Sequence, residues 1–190
     1  SCGSGRLAQG FADEGVISEG WDIKDGEEAN FLDKRVVRGF IQRVKAGEYF
    51  AVHFGLDCKT WSRARRGNNG PGPLRDDGEG LFGLPNLCCG DFRNVLRANT
   101  LTDHAFEILE ACLKAGVSVT LENPRRSRLW LHPTLQRLLR RYKGTAHHCD
   151  FCQYGTKWMK GTTFLSWGVD LGELRRCKRS QGCCSRSKEP

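Results

Sequence analysis

Three short segments carry side chains whose types and spacing could do chemistry. The first, Cys2-Gly3-Ser4-Gly5-Arg6-Leu7, is a glycine-rich turn ahead of an apolar helical pattern, and Asp22 lies 17 residues beyond Gly5. Glycines let a backbone approach a ligand closely, and an acidic side chain about 20 residues on can accept from ribose hydroxyls. The pattern therefore fits a nucleotide-binding fingerprint, and it fits a plain structural turn as well. It is not a phosphate loop, because no Gly-Lys-Ser/Thr follows. The second segment, Gly55-Leu56-Asp57-Cys58-Lys59-Thr60-Trp61-Ser62, follows the aromatic-rich run Tyr49 to Phe54. A cysteine at the carboxyl end of a strand stands where open α/β sheets place ligands, and Lys59, Arg63, Arg65 and Arg66 would favour its thiolate. A small buried residue closing a strand is the competing reading. The third, Leu121-Glu122-Asn123-Pro124, ends another apolar run; its carboxyl group could act as a general acid, as a hydrogen-bond partner, or as a cap for the next helix.

A fourth cluster, His147-His148-Cys149-Asp150-Phe151-Cys152 with Cys177, Cys183 and Cys184 downstream, has one C-x2-C pair and later thiols. Cys149, Cys152, Cys177 and Cys184 are a candidate tetrahedral zinc set, with His147 or His148 able to replace a thiol. A second C-x2-C pair is missing, so reduced cysteines on a basic appendage remain the alternative.

These residues need a framework, and the apolar pattern supplies one. Leu7, Ala8 and Phe11 have helical spacing, ended by Gly15; Val16 to Ile23 reads as a strand; Val36, Val37, Phe40, Ile41 and Val44 predict a helix stopped at Gly47. Tyr49 to Phe54 predicts a strand. Residues 63–90, rich in Gly, Pro, Arg and Asp, predict a long mobile loop of the kind that usually carries function. A helix from Asn99 or Thr100, with Ala105, Ile108, Leu109 and Cys112 as its buried stripe, should end at Gly116 and lead into a strand over Val117 to Leu121. A basic helix over Leu135 to Tyr142 and strand-like pieces at Gly144 to Cys149 and Thr162 to Trp167 complete the series. Alternating helices and strands predict an α/β fold with a mainly parallel sheet covered by helices on both faces. We divide the chain into a core over residues 1–143 and a segment over 144–190 that holds the terminal strands and a Cys-rich basic appendage.

Composition narrows the partners. At 190 residues with 38% apolar content the chain can form one real core, and no apolar run approaches the roughly 18 to 20 residues that span a bilayer, which predicts a soluble protein. The net charge of +8 is lopsided: residues 1–120 sum to −2 and residues 121–190 to +10. Such an excess favours a polyanion, with nucleic acid first and a solvated basic face as the alternative. Ten cysteines placed beside apolar segments or in adjacent pairs point to a reducing, intracellular compartment, nucleus or cytoplasm, rather than to a secreted disulfide scaffold.

Together the three segments resemble the DNA (cytosine-5)-methyltransferase family. Its catalytic Gly-Gly-Pro-Pro-Cys-Gln-x-Phe-Ser compares with Phe54-Gly55-Leu56-Asp57-Cys58-Lys59-Thr60-Trp61-Ser62, its Glu-Asn-Val with Glu122-Asn123-Pro124, and its Phe-x-Gly-x-Gly with Cys2-Gly3-Ser4-Gly5. The order and intervals agree over residues 1–130, with weaker similarity through Cys152-Gln153-Tyr154-Gly155 and Lys160-Gly161-Thr162-Thr163. The resemblance implies a Rossmann-type fold binding S-adenosylmethionine through Gly3, Ser4, Gly5, Leu7, Trp21, Asp22 and Ile23, and a first strand ahead of Ser1. It implies Cys58 as nucleophile toward a flipped cytosine, Glu122 on the ring near N3, and Asn123 holding the catalytic loop. Ser62, Arg63, Arg65, Arg66 and Arg126 would touch DNA. The chain departs from the pattern where Leu56 and Asp57 replace two prolines, Lys59 replaces Gln, and no Gln-x-Arg-x-Arg segment follows. Asp57 beside Cys58 should raise the thiol pKa. About 60 residues after Pro124 leave no room for a full target-recognition domain. A nucleic-acid-binding module without catalysis, and a methyltransferase acting on RNA or another substrate, are the alternatives.

Overall fold

The computed structural model describes residues 5–65, 71–178 and 184–186. Helix α1, Arg6–Asp13, starts from Gly5, whose φ of 69° is a left-handed conformation that favours glycine. Its described side chains are exposed apart from half-buried Ala8. Helix α2, Lys34–Lys45, is capped by Asp33, whose carboxylate accepts from Arg35 N at 2.8 Å, and buries the stripe Val37, Phe40 and Val44. Strand β1, Ala51–Gly55, follows. Helix α3, Cys89–Lys114, is 26 residues long and begins ten residues earlier than Asn99, with Val95 extending its buried stripe toward the amino end.

Strand β2, Ser118–Pro124, alternates half-buried and buried residues along its length. Helix α4, Pro133–Tyr142, starts with proline at the position where a missing N–H costs nothing and buries Leu135 and Leu138. Strands β3, Thr145–Asp150, and β4, Gly161–Trp167, complete the chain's regular structure among the described residues. The strand order is β1-β2-β4-β3. Of the three neighbouring pairs, β1–β2 is parallel, and β4 is antiparallel to both β2 and β3.

The expected mainly parallel sheet is thus corrected to an open, mixed one of four strands. The reason lies in one connection: β3 leads into β4 through residues 151–160 without a crossover helix, so β4 comes back antiparallel and enters the sheet between β2 and β3. The strand expected over Val16 to Ile23 does not form. Among the described residues no strand pairs with it, Ile17 is 99% exposed, and the segment ends in a 3-10 turn, Ile23–Asp25.

Phe54, Val119, Leu121, Leu165 and Trp167 join α2, α3 and α4 in one apolar cluster. The opposite sheet face carries His53, Thr120, Glu122, Phe164 and His147, all half-buried. β4 lies inside the sheet, and its Leu165 and Trp167 belong to the core cluster. No helix is long and apolar enough to cross a membrane among the described residues.

Candidate functional site

The register of β1 and β2 sets the site. Gly55 pairs with Glu122, so the chain leaving β1 toward Cys58 and the carboxylate on β2 emerge at the same end of adjacent parallel strands. Beyond Gly55 the chain turns tightly: Asp57 Oδ1 accepts from Lys59 N at 2.9 Å, and Ser62 N donates to Cys58 O at 2.7 Å. This turn holds Cys58 half-buried. Asn123, 1% exposed, donates from Nδ2 to Leu56 O at 3.1 Å and so fastens the approach to that turn onto β2; its buried Oδ1 meets no donor among the described residues.

Glu122 is not alone. Its Oε1 accepts from Lys160 Nζ at 3.0 Å, and the same ammonium lies 4.9 Å from the Phe151 ring centroid. The thiol of Cys58 is within electrostatic reach of both charges. Burial pushes its pKa above the ordinary thiol value, the Lys160 ammonium pulls it down, and Asp57 and Glu122 push it up. The structure thus brings Cys58, Glu122 and Asn123 together. Sequence spacing missed Lys160, because it reaches Glu122 only through the antiparallel pairing of β4 with β2. It missed His53 as well, which sits on the same sheet face as Glu122, pairs with Thr120 Oγ1 at 2.8 Å, and has its pKa lowered by burial.

Of the cofactor candidates, Gly3 and Ser4 lie outside the described residues. A side chain built at Gly5 would meet open space, and Leu7 and Ile23 are exposed. Asp22 is 6% exposed, and its carboxylate accepts from Lys24 N at 3.1 Å in a reciprocal cap with Asp25. Trp21 packs against Phe31 and Phe40 and under the Arg43 guanidinium. A cleft of about 530 Å³ between α2 and α3, lined by Ile41, Lys45 and Glu107 among others, lies toward the amino ends of β1 and β2, away from Cys58.

The candidate nucleic-acid contacts divide. Arg63 donates to Arg126 O at 3.0 Å and pairs with Asp77, which also holds Arg128 at 2.9 Å. Arg65 reaches Gly72 O at 2.8 Å and Asp91 at 3.3 Å, and Ser62 Oγ accepts from Ala64 N at 3.1 Å. These arginines knit their own loop together. Arg126 is exposed, and Arg66 lies outside the described residues.

The described part of the segment expected as a long mobile loop is organised around a residue that the pattern did not single out. Arg75 is fully buried, stacks 3.6 Å from the Trp61 ring centroid, and donates to Leu81 O, Asn99 Oδ1 and Thr60 Oγ1 at 2.8 to 3.0 Å. Burial lowers its pKa to about 10. Nothing in the composition of residues 63–90 distinguishes this arginine from its solvated neighbours.

At the sulfur cluster, Cys152, Cys177 and Cys184 have Sγ atoms within 4.8 Å of one another. Cys149 stands apart on β3, its thiol pushed up to about 11 by burial. The histidines are also elsewhere: His147 pairs with Ser166 Oγ at 3.0 Å and His148 with Thr163 Oγ1 at 2.8 Å. The candidate set of four is therefore corrected to three, because the β3 backbone commits residues 147–149 to the sheet and Cys152 follows in a 3-10 turn, Phe151–Tyr154. None of the eight described cysteines is joined in a disulfide. Compared with protein-family models, with curated proteins and with solved structures, the chain finds no match.

Proposed function

We propose that this site transfers a methyl group from S-adenosylmethionine to C5 of cytosine in DNA through a temporary bond between Cys58 and the ring, on a fold of Rossmann type. The observation that carries the reading is the convergence of Cys58 and Glu122 at the carboxyl ends of two adjacent parallel strands, with the Lys160 ammonium in electrostatic reach of both. S-adenosylmethionine supplies an electrophilic methyl group on a sulfonium. Open space at Gly5 and the exposed apolar side chains of Leu7 and Ile23 fit its adenosyl part, and Asp22 acts by fixing the turn that presents Ile23.

The chain's own residues then have definite tasks. The target base leaves the stack, because its reacting carbon is otherwise shielded. The Cys58 thiol gives up its proton to solvent, the thiolate forms a bond to C6, and the electron pair displaced from the C5–C6 double bond makes C5 nucleophilic. Charge develops toward N3, where the ion pair can answer it: the Lys160 ammonium supplies a proton to N3 and the Glu122 carboxylate accepts from the 4-amino group. Once C5 carries the methyl group, the donor sulfur having kept the S–C electron pair as a neutral thioether, C5 loses its proton to a base, the bond from the Cys58 sulfur to C6 breaks, and the proton on N3 returns to the pair. Asn123 keeps the Leu56 to Cys58 turn in place throughout.

Trapping tests the sequence of bonds. In DNA containing 5-fluorocytosine the fluorine occupies the place of the departing proton, so the protein and S-adenosylmethionine should give a stable adduct that Cys58→Ala abolishes. Absence of any adduct from the folded chain overturns the proposal. A second reading, a nucleic-acid-binding module without catalysis, is favoured by the raised thiol of Cys58 and by Asp57 beside it. It requires salt-dependent DNA binding with no adduct.

A further inference from the structure

We propose that Cys152, Cys177 and Cys184 form a structural zinc site that pins the basic carboxyl-terminal segment to the end of β3. The three Sγ atoms already lie within 4.8 Å of one another. A tetrahedral zinc ion with Zn–S bonds of about 2.3 Å holds its sulfurs about 3.8 Å apart, so small side-chain rotations close the set. Cys152 and Cys184 are buried and Cys177 is half-buried, as structural sites require.

Hydrogen-bond donors around the cluster give a second, independent indication. Gln153 Nε2 lies 3.6 Å from Cys152 Sγ and 3.5 Å from Cys184 Sγ, and Ser185 N lies 3.4 Å from Cys177 Sγ. A neutral thiol is a poor acceptor, whereas a metal-bound thiolate is a good one, and N–H groups aimed at sulfur are the outer partners that such ligands take. The charge is also matched. Three thiolates and one zinc ion leave a net −1, and Arg175, Arg176, Lys178 and Arg186 flank the ligands in sequence.

The site answers a structural need. Residues 168–178 have no helix or strand, yet Asp150 binds them at two points: its N donates to Arg175 O at 3.1 Å and its Oδ2 accepts from Cys177 N at 2.8 Å. Arg186 Nε closes on Cys152 O at 2.6 Å. A few hydrogen bonds hold an irregular segment weakly, and a metal supplies the missing free energy directly. Three soft thiolates select zinc over the oxygen-preferring cations magnesium and calcium. Among the described residues no fourth ligand joins these three. This inference stands apart from the Cys58 chemistry, and its tests need no DNA.

The full chain, purified without chelator, should contain one zinc per molecule by elemental analysis. Titration of the metal-free chain with Co(II) should saturate at one equivalent, with the thiolate charge-transfer absorption of a tetrahedral site. Cys152→Ser, Cys177→Ser and Cys184→Ser should each weaken that binding at least tenfold, and Cys89→Ser, at the exposed start of α3, should leave it unchanged. Because a serine variant could fail to fold, alkylation of the unmodified chain provides a readout without substitution: zinc should protect residues 152, 177 and 184, and protection should disappear with chelator. A disulfide between any two of the three, titration without an endpoint, or alkylation that is indifferent to zinc overturns the proposal.

Discussion

Cys58 is pulled in two directions by its neighbours, and the balance is open to measurement. Burial, Asp57 and Glu122 oppose the thiolate, and Lys160 favours it. Lys160→Met should therefore move the midpoint of Cys58 alkylation to still higher pH and slow iodoacetamide labelling at pH 8 by about threefold or more, since half a pKa unit is already a threefold change in thiolate. Asp57→Asn should shift the midpoint the other way. Equal labelling rates in both variants would remove Lys160 from the chemistry. Asn123 acts by position instead. Asn123→Ala strands the Leu56 carbonyl and should cost about 1 to 3 kcal/mol in urea unfolding, together with a loss of Cys58 labelling specificity as the turn loosens.

At the scale of elements, the Arg75 segment is where a single residue decides the structure. Its guanidinium offers a rigid fork to Leu81 O, Asn99 Oδ1 and Thr60 Oγ1 and lies on Trp61, so it joins the Cys58 turn to α3. Arg75→Lys keeps a charge but cannot reach three acceptors in one plane, and we expect about 2 kcal/mol or more of destabilisation by chemical denaturation. Arg75→Met should be at least as damaging, because it leaves those acceptors buried and unpaired. If Arg75→Lys unfolds at the same urea concentration as the unaltered chain, the fork is not what orders this segment. The sequence pattern could not show it, since a buried arginine looks like a solvated one. Patterns dominated by local burial were legible: the stripes of α2 and of the carboxyl half of α3, and the runs that became β1, β2 and β4, all follow from periodicity. Sheet direction was not legible, because it depends on which distant strand fills each place; Lys160 stayed hidden for the same reason, being brought to Glu122 only by that pairing. The nearness of Cys58, Glu122 and Asn123 was legible because each sits just after or within a strand that local pattern does reveal.

For the molecule as a whole, buried thiols couple stability to alkaline pH. Cys112 in α3 has its pKa raised to about 12 and Cys149 in β3 to about 11, both chiefly by burial. In the unfolded chain a thiol ionises near about 8.5, so from there upward the unfolded state holds fewer protons than the folded one. Stability is unaffected by these groups below that value, falls as pH rises, and levels off only past the folded pKa values. Each thiol contributes a slope of at most about 1.4 kcal/mol per pH unit within its window. Urea midpoints measured between pH 8 and 11 should accordingly decline. Cys112→Ala separates this effect from packing: the lost sulfur lowers stability by a similar amount at every pH, whereas loss of the ionisable group flattens the decline. An unchanged slope in that variant would show that ionisation of residue 112 does not govern the alkaline limit of the fold, and that the core around α3 and β2 admits enough water to solvate a thiolate there.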